Sequence, residues 1–426
     1  MPIENPYKDA SADQNFWFKG SLHAHSTVAE MYPGSTHHEE DTPRPPEEVL
    51  ADYKEAGYEF VVFSEQNDYT TQQDINDLNL DAHGVTVIPG VELDGVRVKT
   101  DQHLGHINPS GDPRYQAPDP STGLFTLDQI IDRARKDPER NDATPGKPHQ
   151  LITQLHPQFP REVDGREKNI LDSKNIDALE IVNSWWMQRP HAFEDSAGKY
   201  SPFAFHLWDR LLKPVDRDDE GKLVPGTRVW GVAGCCSVAE RDVGVSWIKV
   251  WLDQDKQVEP KPDVNDLMRA ISNGAFYFSA VSDPRDANKP AGPENPKNEL
   301  RRPAAKGVTI YDVTVEADGK RVRIDTDAEI VYAIVGGSPR LTIEPDQKTP
   351  TNSTPGQSRS FTTTFPLPDP DPKHNFLDPT YIRFECVGRG PGWKSIGEED
   401  NWDQSYDWDN TQKLNRSWTQ PLWITP

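Results

Sequence analysis

Apolar positions recur along the first two thirds of the chain in two alternating patterns. From Pro45 onward, Val49, Leu50, Tyr53 and Ala56 fall on one helical face, proline occupies the first turn and Gly57 closes the segment, so a helix is predicted. Phe60-Val61-Val62-Phe63 is then an unbroken apolar run, as expected for a strand buried on both faces of a parallel sheet. Val85–Ile88, Leu151–Leu155, Asp177–Asn183 and Arg228–Ala233 supply further strands. A helix over Asp263–Asn273, closed by Asn273-Gly274, leads into a strand over Ala275–Ser279. Strands alternating with helices define an α/β fold.

Past Asp283 the pattern changes. Pro284, Pro290, Pro293, Pro296 and Pro303 exclude regular structure as far as Lys306. Beyond it the period is two: Val308–Val315, Arg321–Asp325, Ile330–Val335, Arg340–Ile343, Ser360–Phe365, Tyr381–Val387 and Pro421–Thr425 read as short strands with turn residues between them, the pattern of a small β-sandwich. The expected organisation is an α/β domain over 1–283, a Pro-rich linker over 284–306 and a β-sandwich-like domain over 307–426. No internal repeat is found.

Several predicted strands end in residues that hold metals. Leu22-His23-Ala24-His25 places two imidazoles one residue apart, and on an extended segment they point the same way. One ion can take both. A His-x-His alone is more often two solvated imidazoles, but Pro89-Gly90-Val91-Glu92, Leu104-Gly105-His106-Ile107-Asn108 and Leu155-His156-Pro157 follow in order, and together they predict a shared metal centre. Each sits at a strand's carboxyl end, the catalytic rim of α/β barrels. His103 lies three residues before His106 and is its alternative. His37 and His38 read as solvated residues of a loop that leaves the His-x-His strand and passes over the site, His83, His149, His191 and His374 have no motif around them, and His206 lies in an aromatic stretch that reads as core or pocket wall.

The order and spacing of these motifs resemble the PHP superfamily, the polymerase and histidinol phosphatase domain, and Phe18-Lys19-Gly20-Ser21-Leu22-His23-Ala24-His25-Ser26 looks like its Leu-His-x-His opening. The resemblance implies a distorted TIM-like barrel of the (β/α)7 type over 1–283. Trp418-Thr419-Gln420-Pro421 is similar to the ending of a branch with a C-terminal β-domain. Carried over residue by residue, it implies a first metal site of His23, His25 and Glu92 with Cys236 in the fourth place, and a second of Glu92, His106 and His156. Where the family has Thr-Asp-His this chain has Ser64-Glu65-Gln66, and where it has Asp-x-His this chain has Cys236-Ser237-Val238. Glu30 stands in place of an aspartate. The third metal site is therefore expected to be missing, leaving one or two divalent ions. Imidazole-rich ligation admits zinc, manganese or iron, and a thiolate at Cys236 would favour zinc. The commoner fate of such a cysteine is a small buried residue.

Composition narrows the partners. The formal charge of −23 opposes binding to a nucleic-acid backbone. Three cysteines, two of them adjacent, imply no disulfide framework. No signal peptide or apolar span is read, so a soluble, cytoplasmic protein is the default, although a mature chain trimmed of a leader would look the same. Trp185 and Trp186 at the rim can stack on a sugar ring or aryl group, with Gln66 and Arg189 as further substrate contacts, whereas Trp230 and Trp247 lie in strands and read as filling.

Three functions follow. The first is a metal-dependent hydrolase acting on a phosphoester, or on an ester or carbamate, in which Glu92 holds metal and Glu65 serves as general acid or base. The second is a glycan-acting enzyme on the same site. The third is a binding protein on a barrel that has lost its chemistry.

Overall fold

The structure is a computed structural model that describes residues 3–27, 44–66, 69–93, 103–109, 129, 131, 149–155, 157, 170–171, 176–183, 203–212, 226–235, 243–281, 307–317, 319–336, 341–346, 358–364, 381–389 and 414–424. Within them lie strands β1 (Ile3–Glu4), β2 (Trp17–Ser21), β3 (Phe60–Gln66), β4 (Thr86–Leu93), β5 (His103–Ile107), β6 (Leu151–Leu155), β7 (Ala178–Asn183), β8 (Trp230–Gly234), β9 (Ser246–Trp251) and β10 (Phe276–Ala280). Helices α1 (Pro46–Glu55), α2 (Gln72–Asp77), α3 (Phe203–Leu212) and α4 (Val264–Ser272) are interspersed among them. The later strands are β11 (Ile310–Val315), β12 (Arg321–Thr326), β13 (Ile330–Val335), β14 (Leu341–Ile343), β15 (Arg359–Thr364), β16 (Tyr381–Arg389), β17 (Leu414–Thr419) and β18 (Leu422–Ile424).

The predicted helices form for the expected reasons. Pro46 opens α1, which buries Val49, Leu50 and Tyr53. Gly57 adopts φ +76° after it, a conformation open to glycine at little cost. Asp263 caps α4 by accepting the Asn265 and Asp266 backbone N–H groups at 2.8 and 3.1 Å.

The fold is mixed α/β with strands in the majority. Among the described residues fifteen strands form one curled sheet, whose main path runs β1-β18-β16-β17-β10-β9-β2-β3-β4-β5-β6-β7-β8. The apolar runs pair in parallel as predicted: β2 with β3, β3 with β4, β6 with β7 and β7 with β8. The sheet is not parallel throughout: β5 runs antiparallel to both β4 and β6, and β9 to both β2 and β10. Residues 103–107 carry two imidazoles and a glycine within five positions, so no apolar run marks β5 as a strand. The sheet curls far enough for β8 to approach β10: a Cβ on Gly231 would lie 2.9 Å from the Phe278 ring.

Strands read as belonging to a separate sandwich divide between two sheets. β11, β12 and β15 make a three-stranded sheet. By contrast β16, β17 and β18 extend the large one, β17 pairing directly with β10. Val313, Val322, Ile324 and Phe361 from the small sheet pack with Val331, Ile382 and Phe384 from the large one in a common core. Arg383, only 2% exposed, reaches from β16 to Asp209 on α3 with donor distances of 2.8 to 3.0 Å, and Tyr381 donates to the same carboxylate at 3.0 Å. The amide of Gln420 donates to the Gly231 carbonyl at 2.7 Å and accepts its N–H at 2.9 Å, as a neighbouring strand would.

Candidate metal centre

His23 and His25 follow β2, and Glu92 lies near the carboxyl end of β4 two strands away. Their ligand atoms converge. His23 Nε2 stands 3.1 Å from His25 Nε2 and 3.1 Å from Glu92 Oε2, and His25 Nε2 stands 3.0 Å from the same oxygen. All three residues are buried, at 0, 6 and 2% exposure, so this is an interior cluster and no chance meeting of surface groups. Around an ion with bonds of about 2.0–2.1 Å, neighbouring ligand atoms stand roughly 3 Å apart. The trio has that spacing, and its donor types suit zinc, iron or manganese.

The second ring nitrogen of His23 supports the same reading. His23 Nδ1 is 3.1 Å from Glu180 Oε1 on β7, which also accepts from Asn183 Nδ2 at 3.0 Å. With Glu180 taking the Nδ1 proton, the Nε2 lone pair is left to face His25 and Glu92. A carboxylate behind a ligating histidine is the usual way its tautomer and ring orientation are fixed. The approach is close enough to require glycine on the next strand: a Cβ on Gly234 would come within 2.4 Å of Glu180 Oε1 and 2.7 Å of His23 Cβ.

Strand register decides which residues share the face of Glu92. Glu92 lies opposite Gly105 on β5 and Gln66 on β3, so His103, two residues from Gly105, faces the site with them. His103 Nδ1 hydrogen-bonds Glu92 Oε1, the oxygen not aimed at His23 and His25. His106 pairs with Val91 and takes the other face, where its Nε2 lies 2.8 Å from Gln150 Oε1. Of the two histidines of that motif, the structure thus brings His103 to Glu92 and seats His106 against Gln150.

Burial by itself would push the Glu92 carboxyl up. The imidazoles of His23 and His103, by charge and by hydrogen bond, outweigh that and hold it well below the usual carboxylate range. Glu65 belongs to a different arrangement. The backbone N–H and hydroxyl of Ser26 donate to its carboxylate at 2.7 to 3.0 Å, and its Oε2 is 4.0 Å from His25 Nδ1. It ties the segment after His25 to β3.

His156, Cys236, Trp185, Trp186 and Arg189 lie outside the described residues, as do Glu30 and Val238. The neighbouring Cys235 is buried. Its thiol donates to the Ser246 carbonyl at 2.9 Å and lies 3.2 Å from the Tyr58 hydroxyl. Trp247 is 4% exposed and fills structure, whereas Trp230, half-buried, stands over Gly274 with its indole N–H on the Ser272 carbonyl. No motif marks Glu180, although a carboxylate inside Ala178-Leu179-Glu180-Ile181-Val182 must find a partner to be buried at all.

No family model matches this chain, and no curated protein matches it. Solved structures align with part of it, among them two of bacterial origin. One is PsfC from Pseudomonas syringae, 12% identical, with a TM-score of 0.34 over 60% of this chain and 87% of that one. The other, described as a candidate metal-dependent phosphoesterase from Bifidobacterium adolescentis, is 9% identical, with a TM-score of 0.29 over 52% of this chain and 88% of that one. No helix among the described residues is long and apolar enough to cross a membrane.

Proposed function

We propose that this chain is a metal-dependent hydrolase of the PHP type that cleaves phosphoesters of small molecules, its barrel over 1–283 followed by a β-domain over 307–426. The observation that carries the reading is the convergence of His23 Nε2, His25 Nε2 and Glu92 Oε2 within one buried cluster, with Glu180 behind His23. A bound divalent ion would supply a Lewis acid for the phosphoryl oxygen and activate the attacking water. Glu180 keeps His23 in the tautomer that offers Nε2, and Glu92 divides its two oxygens between the His23–His25 pair and His103. Glu65, which accepts hydrogen bonds from the Ser26 backbone N–H and hydroxyl and lies 4.0 Å from His25 Nδ1, is the proton carrier beside His25. Gln66 faces the same side as Glu92 and is assigned to substrate.

Elemental analysis of protein purified without added metal tests this, together with hydrolysis of p-nitrophenyl phosphate and with His23→Ala as control. One or two ions per chain that fall in the variant, with activity falling in parallel, are expected. Protein that takes up neither zinc, manganese nor iron on incubation would overturn the reading.

A further inference from the structure

The strands have a second end. At the amino ends of β6, β7 and β8, opposite the rim that carries His23, His25 and Glu92, a cavity of about 1360 Å³ opens between α4, β11 and residues 3–9. It exceeds the range of about 300–1,000 Å³ usual for small-molecule pockets. Its lining combines two features.

The first is aromatic. Trp230 and Trp251 both line the cavity and both remain partly exposed. Trp230 is fixed at its edge by the hydrogen bond to Ser272, and the lack of a side chain on Gly274 lets its ring lie flat there.

The second is polar. Arg228 pairs with Glu4 at 2.7 Å and Arg269 pairs with Asp266, so these lining charges cancel locally. Asp9, Asp253 and Lys8 are exposed at the cavity, offering acceptors and donors together. Beyond those pairs the lining holds Asp9, Asp177, Asp253 and Asp312 against Lys8, so it repels anions, and exposed carboxylate acceptors beside flat rings suit a many-hydroxylated ligand.

We propose that this cavity binds carbohydrate, a short glycan whose sugar rings stack on Trp230 and Trp251 while its hydroxyls bond to Asp253 and Asp9. Sugar C–H faces are apolar and lie well on indole, and their hydroxyls accept and donate at once. The volume calls for more than one ring. The site lies away from the metal centre and stands whether or not the hydrolase reading does.

The test is titration of the full chain with maltotriose, cellotriose and chitotriose, followed by tryptophan fluorescence and calorimetry, with spermidine as a cationic comparison, at low and high salt. At least one trisaccharide should bind saturably and without salt dependence. Trp251→Ala and Asp253→Asn should each weaken it about tenfold with far-ultraviolet circular dichroism unchanged. Trp251→Phe, which keeps a ring, should stay within about threefold. Asp253 is exposed, so its variant decides the matter if Trp251→Ala fails to fold. His23→Ala should bind the sugar as the parent does. Failure of all three trisaccharides, affinity unchanged in both Trp251→Ala and Asp253→Asn, or salt-sensitive binding of spermidine alone would overturn the proposal.

Discussion

Two buried charged clusters tie this molecule together, and they are built on opposite plans. In the clamp between α3 and β16 the chain supplies both signs. Arg383 and Tyr381 donate four hydrogen bonds to Asp209, and the guanidinium lies 4.8 Å from the centre of the Trp208 ring. At the rim, Glu92, Glu180 and Glu65 gather around His23, His25 and His103, whose rings are cations only when protonated and otherwise turn a lone pair inward. A cluster that closes on its own charges is architecture. One that aims neutral lone pairs and a carboxylate at a common point invites a cation from outside.

Substitutions can break that contrast. The largest effect is expected from His23→Ala, which removes one of three convergent ligands: metal content should fall to background by elemental analysis while the far-ultraviolet spectrum is kept. Next comes Arg383→Met. Leaving Asp209 without its guanidinium should cost about 3–5 kcal/mol in urea unfolding, whereas the double change Arg383→Met with Asp209→Leu should recover most of it. If His23→Ala proved as destabilising as Arg383→Met with metal content intact, the distinction between the two clusters would fail. Glu180→Gln should weaken metal binding by about 10–100-fold in competition with a chelator, since it acts only through the orientation of His23.

The smallest effect concerns Lys19, whose amine lies over the Trp247 and Tyr58 rings and donates to the Ala56 carbonyl at the end of α1. Burial lowers its pKa from 10.5 to about 7, against the pull of Cys235 and Glu59. The unfolded chain therefore binds a proton that the folded one does not between about pH 7 and 10.5, and stability from this group rises with pH across that window. Relative to Lys19→Met, the parent should gain up to about 1 kcal/mol per pH unit there, measured by urea denaturation at fixed ionic strength.

Much of this architecture is legible in the order of the residues. Pro46 and Gly57 bound α1, and Phe60–Phe63 announces a buried strand, because each rests on local stereochemistry. His23, His25 and Glu92 stand out because a two-residue period and a strand end fix where side chains go. His103 and His106 are harder. Which one meets Glu92 depends on the register of β4 against β5, and a shift of one residue would exchange them. Glu180 leaves no motif, only an ionisable residue in an apolar strand. The partition of the later strands between two sheets is not legible, since alternation sets which face is buried and says nothing about the partner strand. Leu414–Thr419 escapes a reading by alternation, although it holds β10 and β16 together.

The pairing of Ile3 with Ile424, and of β10 with β17, has a kinetic consequence. A ribosome must deliver residues 414–424 before the sheet begun at β1 can be completed. Until then the hydrogen-bonding edge of β10 is open to any passing strand, its neighbour on that side still unsynthesised. Contacts so distant along the chain make for slow folding. The metal ligands sit on strands that emerge early, while the segment that seals the sheet arrives late, and the interval between them is when this protein is most exposed to aggregation.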